Sequence, residues 1–302
     1  MKYIRITLFA LALTVAAAPA FASSASLGLA GNYNAFIFGN FSSSSDTQGR
    51  LAVGGNVHLE HYSVGDRLNP GTTGDVLLAG GDLTFTGGRV YYGDVRVGGS
   101  VTGPGYKFYD GALYQNSDMP FDFAAQKQKY TSMANSLAAL SATGTTTSQW
   151  GGLYMTGDGT SNTQVFNLDG STLLNSHTFA LDTTGFAQDT TIIFNVSGTA
   201  SGLTNMSMES LRPFAGSVLF NFYEATSLTL SGIGVWGSIL APLADIDNPQ
   251  GVINGTLIAN SFDGPMQLNL VPFEGNVPTP IPGSILLLGT GMLGLIGWRK
   301  RR

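Results

Sequence analysis

Hydrophobic and polar positions alternate over short runs in the first third of the chain, and pairs of glycine interrupt the alternation. Three segments share the order apolar, any residue, apolar, Gly, Gly, small polar, apolar: residues 51–57, 77–83 and 95–101. Each segment predicts a short strand that turns at the glycine pair and enters a second strand. Equivalent glycines of the second and third segments are 18 residues apart, whereas those of the first and second are 26 apart.

A second repeat lies near the C-terminus, where residues 235–242 (VWGSILAP) align with residues 253–260 (INGTLIAN) at the same spacing of 18. Short strands that recur at a fixed interval, with Gly or Asn at the corners, are typical of a parallel β-helix. In that fold each coil stacks on the previous one. The sequence therefore predicts a parallel β-helix (solenoid), and a β-sandwich with glycine-rich hairpins is the alternative that the unequal first spacing leaves open.

One segment follows a helical period instead. Residues 121–143 carry a single apolar stripe, with Asp118 and Asp122 near its start, where carboxylates suit the helix dipole, and Gly144 after its end. The stripe is formed by Phe123, Tyr130, Met133, Leu137 and Leu140. We predict an amphipathic helix over about residues 121–143 that lies along the solenoid and covers part of it.

The rest of the domain is predicted to be β structure joined by loops. Residues 143–152 (TGTTTSQWGG) indicate a loop. Strand-like runs follow at residues 163–168, 177–181, 190–197, 217–223 and 227–230. The predicted fold class is therefore all-β with one flanking helix.

The N-terminus has the pattern of a secretory signal peptide. Two basic residues precede an apolar run over residues 6–17. An A-x-A cleavage motif follows, formed by Ala20 and Ala22 ahead of Ser23. Residues 1–22 are predicted to be removed on export, which leaves residues 23–275 as an ectodomain.

The last stretch of the chain has the order of a membrane-anchoring segment. A Pro-rich hinge precedes an uncharged apolar run at residues 281–298, which spans about 27 Å as a helix, near the lower limit for crossing a bilayer. Its glycines favour a transient, processed span, with an uncut anchor as the alternative. The hinge is Val277, Pro278, Thr279 and Pro280, and the basic cluster after the run is Arg299, Lys300, Arg301 and Arg302. Residues 276–302 are predicted to hold the chain in the inner membrane through a single helix, with the positive end inside.

Charge is distributed unevenly along the chain. Six of the 14 basic residues lie in the two terminal segments, so residues 23–298 carry 8 basic against 19 acidic residues. Such a surface repels phosphate backbones, and we expect no nucleic-acid partner. The chain has no cysteine, which excludes disulfides and thiolate metal sites. We expect no cofactor.

Candidate chemistry is sparse. His58, Glu60 and His61 are metal-ligand types, but on a strand His58 and Glu60 share a face while His61 points away, so we expect surface decoration and no metal site. Asp245 and Asp247 share a strand face, as in a glycan-cleaving β-helix enzyme, and provide the enzymatic alternative to a domain that only binds.

Two further motifs allow a functional interpretation. Aspartates that follow glycine are interpreted as turn residues that bond their own backbone, and a calcium role is left open. The four in the Gly-rich first block are Asp66, Asp75, Asp82 and Asp94. The motif at residues 84–86 (TFT) invites an ice-binding hypothesis, but it does not recur at the coil interval, so we do not favour that function.

Five blocks stand in order along the domain: residues 31–41 (GNYNAFIFGNF), 49–56 (GRLAVGGN), 121–125 (FDFAA), 193–198 (IFNVSG) and 236–242 (WGSILAP). Through these blocks the chain resembles the choice-of-anchor A family of bacterial surface proteins over roughly residues 27–275. The resemblance implies a right-handed β-helix flanked by a helix. It also implies an adhesive or matrix-associated role, with no catalytic residues to carry over.

The hinge Val277-Pro278-Thr279-Pro280, the apolar run and the basic cluster together resemble a PEP-CTERM sorting signal, with Thr279 in place of the usual Glu. This resemblance implies processing by an exosortase-type enzyme in a Gram-negative bacterium that makes exopolysaccharide. We therefore expect a non-enzymatic, secreted or surface-anchored adhesive protein of the extracellular matrix or biofilm. Its expected partners are the processing enzyme and exopolysaccharide or another surface ligand.

Overall fold

Parallel pairing of short strands runs through residues 27–278, the part of the chain that the computed structural model describes. The strands before the long helix are β1 (Ala35–Ile37), β2 (Phe41–Ser43), β3 (Asp46–Thr47), β4 (Leu51–Val53), β5 (Val57–Leu59), β6 (Tyr62–Val64), β7 (Asp75–Ala79), β8 (Leu83–Phe85), β9 (Gly88–Val90), β10 (Asp94–Val97), β11 (Val101–Thr102) and β12 (Leu113–Tyr114). The helices are α1 (Phe123–Ala138) and the short α2 (Gly170–Leu174), with 3₁₀ helices at Gly28–Asn32 and Glu209–Ser217. The strands after α1 are β13 (Thr145–Gln149), β14 (Gly152–Thr156), β15 (Thr163–Asp169), β16 (Thr178–Asp182), β17 (Thr191–Ser197), β18 (Ala200–Thr204), β19 (Val218–Phe222), β20 (Ser227–Ser231), β21 (Ile233–Trp236), β22 (Ser238–Asp247), β23 (Gly251–Asn254), β24 (Leu257–Asp263) and β25 (Gln267–Asn269).

Successive coils contribute strands to three faces. Face A contains, in spatial order, β12, β10, β7, β4, β1, β24, β22, β19, β17 and β15. Face B contains β11, β8, β5, β2, the C-terminal halves of β24 and β22, then β20 and β18. Face C contains β9, β6, β3, β25, β23 and β21. In the coils beyond the second 3₁₀ helix, the sheet β13–β14–β16 occupies this face instead.

This arrangement confirms the predicted parallel β-helix. Neighbouring strands are parallel on all three faces except at β13 and β14, which are antiparallel. The β-sandwich alternative is wrong, because a sandwich is built from antiparallel sheets.

Chain order and stacking order differ at one place. Strand β1 pairs with β24 on one side and with β4 on the other, so Ala35 lies between Leu257 and Leu51. From β1 the coils run to one end of the stack at β12. After α1 the coils resume at the opposite end with β15 and return to β24. The first described coil therefore lies in the middle of the stack, and the last described coil pairs with it.

Inward side chains form continuous columns because the register is kept from coil to coil. One column on face A consists of Phe166, Phe194, Phe220, Ile239, Leu257, Ala35, Leu51, Leu77 and Val95, all buried. The ring of Phe194 stacks on Phe166 at 5.5 Å and on Phe220 at 4.9 Å between centroids. Stacked rings add to the stabilisation that apolar burial provides.

Helix α1 covers the outside of face A. Asp122 caps its first turn by accepting hydrogen bonds from two backbone amides, at 2.8 and 3.2 Å. The buried Tyr130 hydroxyl donates to the Leu27 carbonyl and accepts from the Ala30 amide, both at 2.7 Å. The helix is thereby joined to the segment that enters the first coil.

Two buried asparagines join the second half of α1 to face A. Asn195 Nδ2 donates to the Leu137 carbonyl at 2.7 Å, and Asn221 Nδ2 donates to the Ala134 carbonyl at 2.9 Å. The predicted helix and its position along the solenoid are confirmed, but its predicted bounds, residues 121–143, are too long. Asp122 has extended backbone angles, and Leu140 lies beyond the last helical residue.

The loop predicted at residues 143–152 is wrong. Its threonine-rich part forms β13, which pairs antiparallel with β14. Trp150 (φ 49°) and Gly151 (φ 72°) make the connection in the left-handed region, as a tight hairpin turn requires. The strand runs predicted after the loop are confirmed within one residue at either end.

Glycine pairs make the corners between faces A and B because successive coils approach closely there. A Cβ on Gly80 would lie 2.2 Å from the Gly54 carbonyl oxygen, and a Cβ on Gly98 would lie 2.2 Å from the Gly80 carbonyl oxygen. The single glycines of the downstream repeat approach as closely at the corner between faces C and A, where a Cβ on Gly255 would lie 2.2 Å from the Gly237 carbonyl oxygen. The predicted turns at the glycine pairs are confirmed.

No helix within residues 27–278 is both long and apolar enough to cross a membrane. The predicted membrane segment at residues 281–298 and the predicted signal peptide lie outside the described residues.

The corner contacts predict a large stability difference between two glycine substitutions. Gly80→Ala should lower the free energy of unfolding by about 2–3 kcal/mol, because its methyl group has only backbone to displace. Gly105→Ala is the matched control, since a Cβ there meets nothing within 4 Å, and it should change stability by less than about 0.5 kcal/mol. Urea unfolding measures both. Equal stabilities for the two variants would contradict the corner argument.

Candidate ligand-binding face

The outer surface of face B carries polar side chains in register over consecutive coils. Because side chains alternate across each strand, the middle residue of β2, β5 and β8 points outward from the same position in every coil. We call these side chains the central row: Thr102, Thr84, His58, Ser42, Asp263 and Asp247. The row arises from strand register, and in β2, β5 and β8 the residues on either side of the outward side chain are buried.

A second line of polar side chains, the corner row, follows the glycine pairs. It consists of Asn40, Asn56, Asp82 and Ser100. The first three members each accept a hydrogen bond from the backbone amide of the next member, one coil further on: Asn40 from Asn56 at 2.9 Å, Asn56 from Asp82 at 2.9 Å, and Asp82 from Ser100 at 2.7 Å. These bonds connect the coils where the chain turns between faces A and B.

The predicted role of the Gly-Asp turns needs correction. Asp82 bonds the Ser100 amide and Asp94 bonds the Ala112 amide at 2.8 Å, so both reach the next coil and not their own backbone. Asp75 holds Arg96, with Oδ2 3.0 Å from Nε. These aspartates stack coils together, which local turn chemistry alone does not reveal.

Two shallow grooves flank the central row at Ser42 and His58. The groove on the corner side has a volume of about 350 Å³ and is lined by Asn40, Phe41, Ser42, Asn56, Val57, His58, Asp82 and Thr84. The groove on the other side has a volume of about 200 Å³ and is lined by Ser42, Ser43, Ser44, His58, Glu60, Asp263 and Gly264. Ser42 and His58 therefore form the ridge between two polar grooves.

The histidine cluster is divided as the sequence predicts. His58 Nε2 lies 3.6 Å from Glu60 Oε1 on face B. His61 has a left-handed backbone (φ 48°) and lies against Gly87 at the following corner. Within residues 27–278 no group of three His, Asp or Glu side chains is arranged to hold a metal ion.

Asp245 and Asp247 both lie on the exposed surface of face B. The Oδ1 atom of Asp245 accepts hydrogen bonds from Asn260 Nδ2 and Ser261 Oγ, both at 2.6 Å. Asp247 stands beside Asp263 in the adjacent strand and extends the central row. The two carboxylates lie on an open surface, and the side chains around them hold Asp245 in place.

The sorting residues fall almost entirely outside the described residues. The exceptions are Val277 and Pro278, and Val277 is buried in the cluster beneath α1 that also contains Leu27 and Phe273. The tail residues from Thr279 to Arg302 and the cleavage residues Ala20, Ala22 and Ser23 lie beyond the described part.

Sequence reasoning did not identify the central and corner rows as a binding surface. The small polar residue after each glycine pair is a sequence signal for the corner row, and the residue two positions after it belongs to the central row. The contributions of Asp263 and Ser42 were not visible, because they depend on pairing between the last coil and the first.

Residues 26–270 match the family model described as "Putative Ice-binding-like adhesive domain". The chain belongs to this family, and its domain is of the adhesive, surface-associated type.

Among solved structures, an ice-binding protein from the Antarctic ascomycete Antarctomyces psychrotrophicus is similar. It shares 17% sequence identity over 84% of this chain and 98% of that chain, with a TM-score of 0.35. No curated protein matches the chain.

The corner row predicts a component of acid sensitivity. The Ser100 backbone amide and hydroxyl, which donate to Asp82, lower the pKa of its carboxyl below the ordinary value. A carboxyl whose pKa is lower in the folded state stabilises the fold above its unfolded pKa of about 3.9, and this contribution is lost as pH falls through the folded pKa. Asp82→Asn keeps an oxygen acceptor but cannot titrate, so its stability should fall less between about pH 6 and pH 3 than that of the wild type.

Urea unfolding midpoints at both pH values test this prediction. Asp247→Asn is the control, because Asp247 also lies exposed on face B but has no hydrogen bond to the backbone among the described residues. An identical pH dependence for wild type and Asp82→Asn would contradict the proposed contribution.

Proposed function

We propose that the chain is a secreted, surface-displayed adhesive protein that holds exopolysaccharide on face B without cleaving it. The alignment of hydrogen-bonding side chains over consecutive coils, with a groove on each side of Ser42 and His58, carries this proposal. A polymer that repeats hydroxyl groups along its length can contact every coil that it crosses. Many weak contacts of this kind sum to useful affinity through multivalency.

The charges of face B favour a neutral glycan as the ligand. Asp82, Asp247, Asp263 and Glu60 lie along the surface, and the central and corner rows contain no lysine or arginine. Carboxylates accept hydrogen bonds from hydroxyl groups but repel uronate, sulfate and phosphate. The proposed ligand class is therefore a hydroxyl-rich, uncharged exopolysaccharide.

A purely binding role is supported by the surroundings of Asp245 and Asp247. Glycoside hydrolysis needs two carboxyl groups on opposite sides of the scissile bond. Here the two project from the same strand face, and Asp245 is already engaged by Asn260 and Ser261. The competing function is a glycan-active enzyme that uses these two carboxylates.

The family description suggests ice as an alternative ligand. Thr102 and Thr84 stand in register in the central row, as a water-ordering surface requires. The same row continues through His58, Ser42 and two aspartates, so threonine does not repeat along it. We therefore propose a polysaccharide rather than ice.

The display mechanism is part of the same proposal. We infer that residues 1–22 direct export, that the tail beginning at Val277 is an exosortase-type sorting signal, and that the ectodomain is of the choice-of-anchor A type. Val277, at the start of this tail, is buried in the cluster beneath α1. The proposed destination is the cell surface or matrix of a Gram-negative bacterium.

A bulky substitution in the central row tests the binding surface. Ser42→Tyr should weaken binding to the neutral exopolysaccharide of the host at least about tenfold, equivalent to about 1.4 kcal/mol, because the bulky ring obstructs the surface between the two grooves that Ser42 lines. Ser63→Tyr is the matched control, since Ser63 is the outward middle residue of a three-residue strand on face C. Binding is measured by co-sedimentation or calorimetry with the purified chain.

Two results would contradict this assignment. One is equal binding by the Ser42→Tyr and Ser63→Tyr variants. The other is the appearance of new reducing or unsaturated ends during the incubation that Asp245→Asn abolishes, which would establish the enzymatic alternative.

The tail proposal has its own test. Deleting residues 299–302 should disturb retention and sorting, because the basic cluster fixes the orientation of the segment and completes the signal. Thr279→Glu restores the residue that is usual in such signals and should be processed at least as well as the wild type. Cell fractionation and the mass of the released chain report both. Unchanged localisation after the deletion would argue against a sorting role.

A further inference from the structure

One coil is longer than its neighbours, and the excess residues form a cavity. The spacing of 26 between Gly54 and Gly80 exceeds the later spacing of 18 by eight residues. The structure places this excess after β6: thirteen positions separate Val64 from Leu77, whereas five separate Val90 from Val95 in the next coil. The extra segment, residues 66–73, is a loop at the corner between faces C and A. Loops inserted into a regular scaffold are common places for binding sites.

The cavity beneath this loop has a volume of about 350 Å³. Its lining is Gly71, Thr72, Thr73, Gly74, Tyr92, Gly93, Asp94, Asp110 and Gly111. Gly74, Gly93 and Gly111 belong to successive coils and contribute only backbone to the lining, and Tyr92, Asp94 and Asp110 are the larger residues that complete it. A Cβ at Gly71 or Gly74 would meet nothing within 4 Å, which leaves the loop side open.

The walls are held in place by contacts outside the cavity. Arg50 donates hydrogen bonds to the carbonyls of Thr73 at 2.9 Å and Asp75 at 2.5 Å, which fixes the end of the loop. Asp110 accepts from the Tyr92 amide at 3.1 Å and pairs with Arg89. The site is therefore formed in the free protein, which lowers the entropic cost of binding.

Tyr92 itself occupies an unusual backbone conformation. Its φ of 60° lies in the left-handed region, where a bulky aromatic side chain is uncommon and costs about 1 kcal/mol or more. Glycine or asparagine would occupy this corner with less strain, so the ring contributes nothing that the turn requires. The strain is consistent with selection of the aromatic ring for a contact.

We propose that this cavity is a binding subsite for one neutral hexopyranose unit of a glycan. Tyr92 provides an apolar platform for the C–H face of the sugar. Asp94, whose Oδ1 already accepts from the Ala112 amide, provides its other oxygen as an acceptor for a sugar hydroxyl, and its charge disfavours an acidic sugar. The subsite lies at the corner between faces C and A, away from face B, so it stands independently of the function proposed for that face.

Saturation-transfer NMR with the purified chain tests the subsite. The probes are methyl β-D-glucopyranoside, methyl β-D-galactopyranoside and methyl α-D-mannopyranoside, with D-glucuronate for comparison. At least one neutral probe should bind with a dissociation constant of about 1–10 mM, which is usual for small ligands held by few contacts, and glucuronate should bind more weakly. Saturation should reach the sugar from tyrosine ring protons.

Substitution of Tyr92 separates binding from folding. Asn tolerates the left-handed conformation, so Tyr92→Asn keeps the backbone hydrogen bond to Asp110 and should remain folded while losing at least about tenfold in affinity. Tyr92→Gly serves as a second variant and should not lower the melting temperature. Tyr106→Asn is the matched control, because Tyr106 is an exposed tyrosine outside the cavity lining.

Two outcomes would overturn the proposal: no neutral probe binds the wild type at about 50 mM, well above the expected dissociation constant, or Tyr92→Asn binds as tightly as Tyr106→Asn. The Ser42→Tyr variant should retain monosaccharide binding. Failure of the face B function and failure of this subsite are therefore distinguishable.

Discussion

The pairing of β1 with β24 is the interaction on which the stack depends. It joins two runs of coils, one from each half of the chain, through three consecutive residue pairs on face A and continues onto face B between β2 and β24. Without it each run would end in an unpaired strand edge, and unpaired edges recruit other strands. The inward columns and the central row cross this junction without a break in register, so the core and the candidate surface both require it.

Features of this architecture that depend on a local or repeated residue pattern can be predicted from the sequence, whereas pairing between distant segments cannot. Gly80 and Gly98 are visible in the sequence because each must lack a side chain where one coil crosses the next, and the requirement recurs with the coil. The amphipathic helix is visible for a similar reason, since its apolar stripe is a local pattern. The pairing of Ala35 with Leu257 is not visible, because no residue type in either coil specifies its partner.

The candidate binding surface likewise combines features that the sequence reveals with features that only the structure shows. Asn56 and Asp82 belong to a repeated motif, yet their hydrogen bonds run between coils and require the register to be known. Asp263 joins the central row only through the closure of the stack. The hairpin at residues 145–156 was missed because threonine-rich sequence is compatible with both loop and edge strand, and the contact with β16 decides between them.

The path of the chain after β25 has a mechanical consequence. The Glu274 amide donates to the Gly216 carbonyl at 2.7 Å, and the Asn276 amide donates to Thr191 Oγ1 at 2.8 Å, at the start of β17. Val277 itself is buried in the cluster beneath α1 that also contains Leu27. A pulling force applied at Val277 would act first on these contacts with β17 and the second 3₁₀ helix. The β1–β24 pairing would be loaded only through β19 and β22, the strands that lie between.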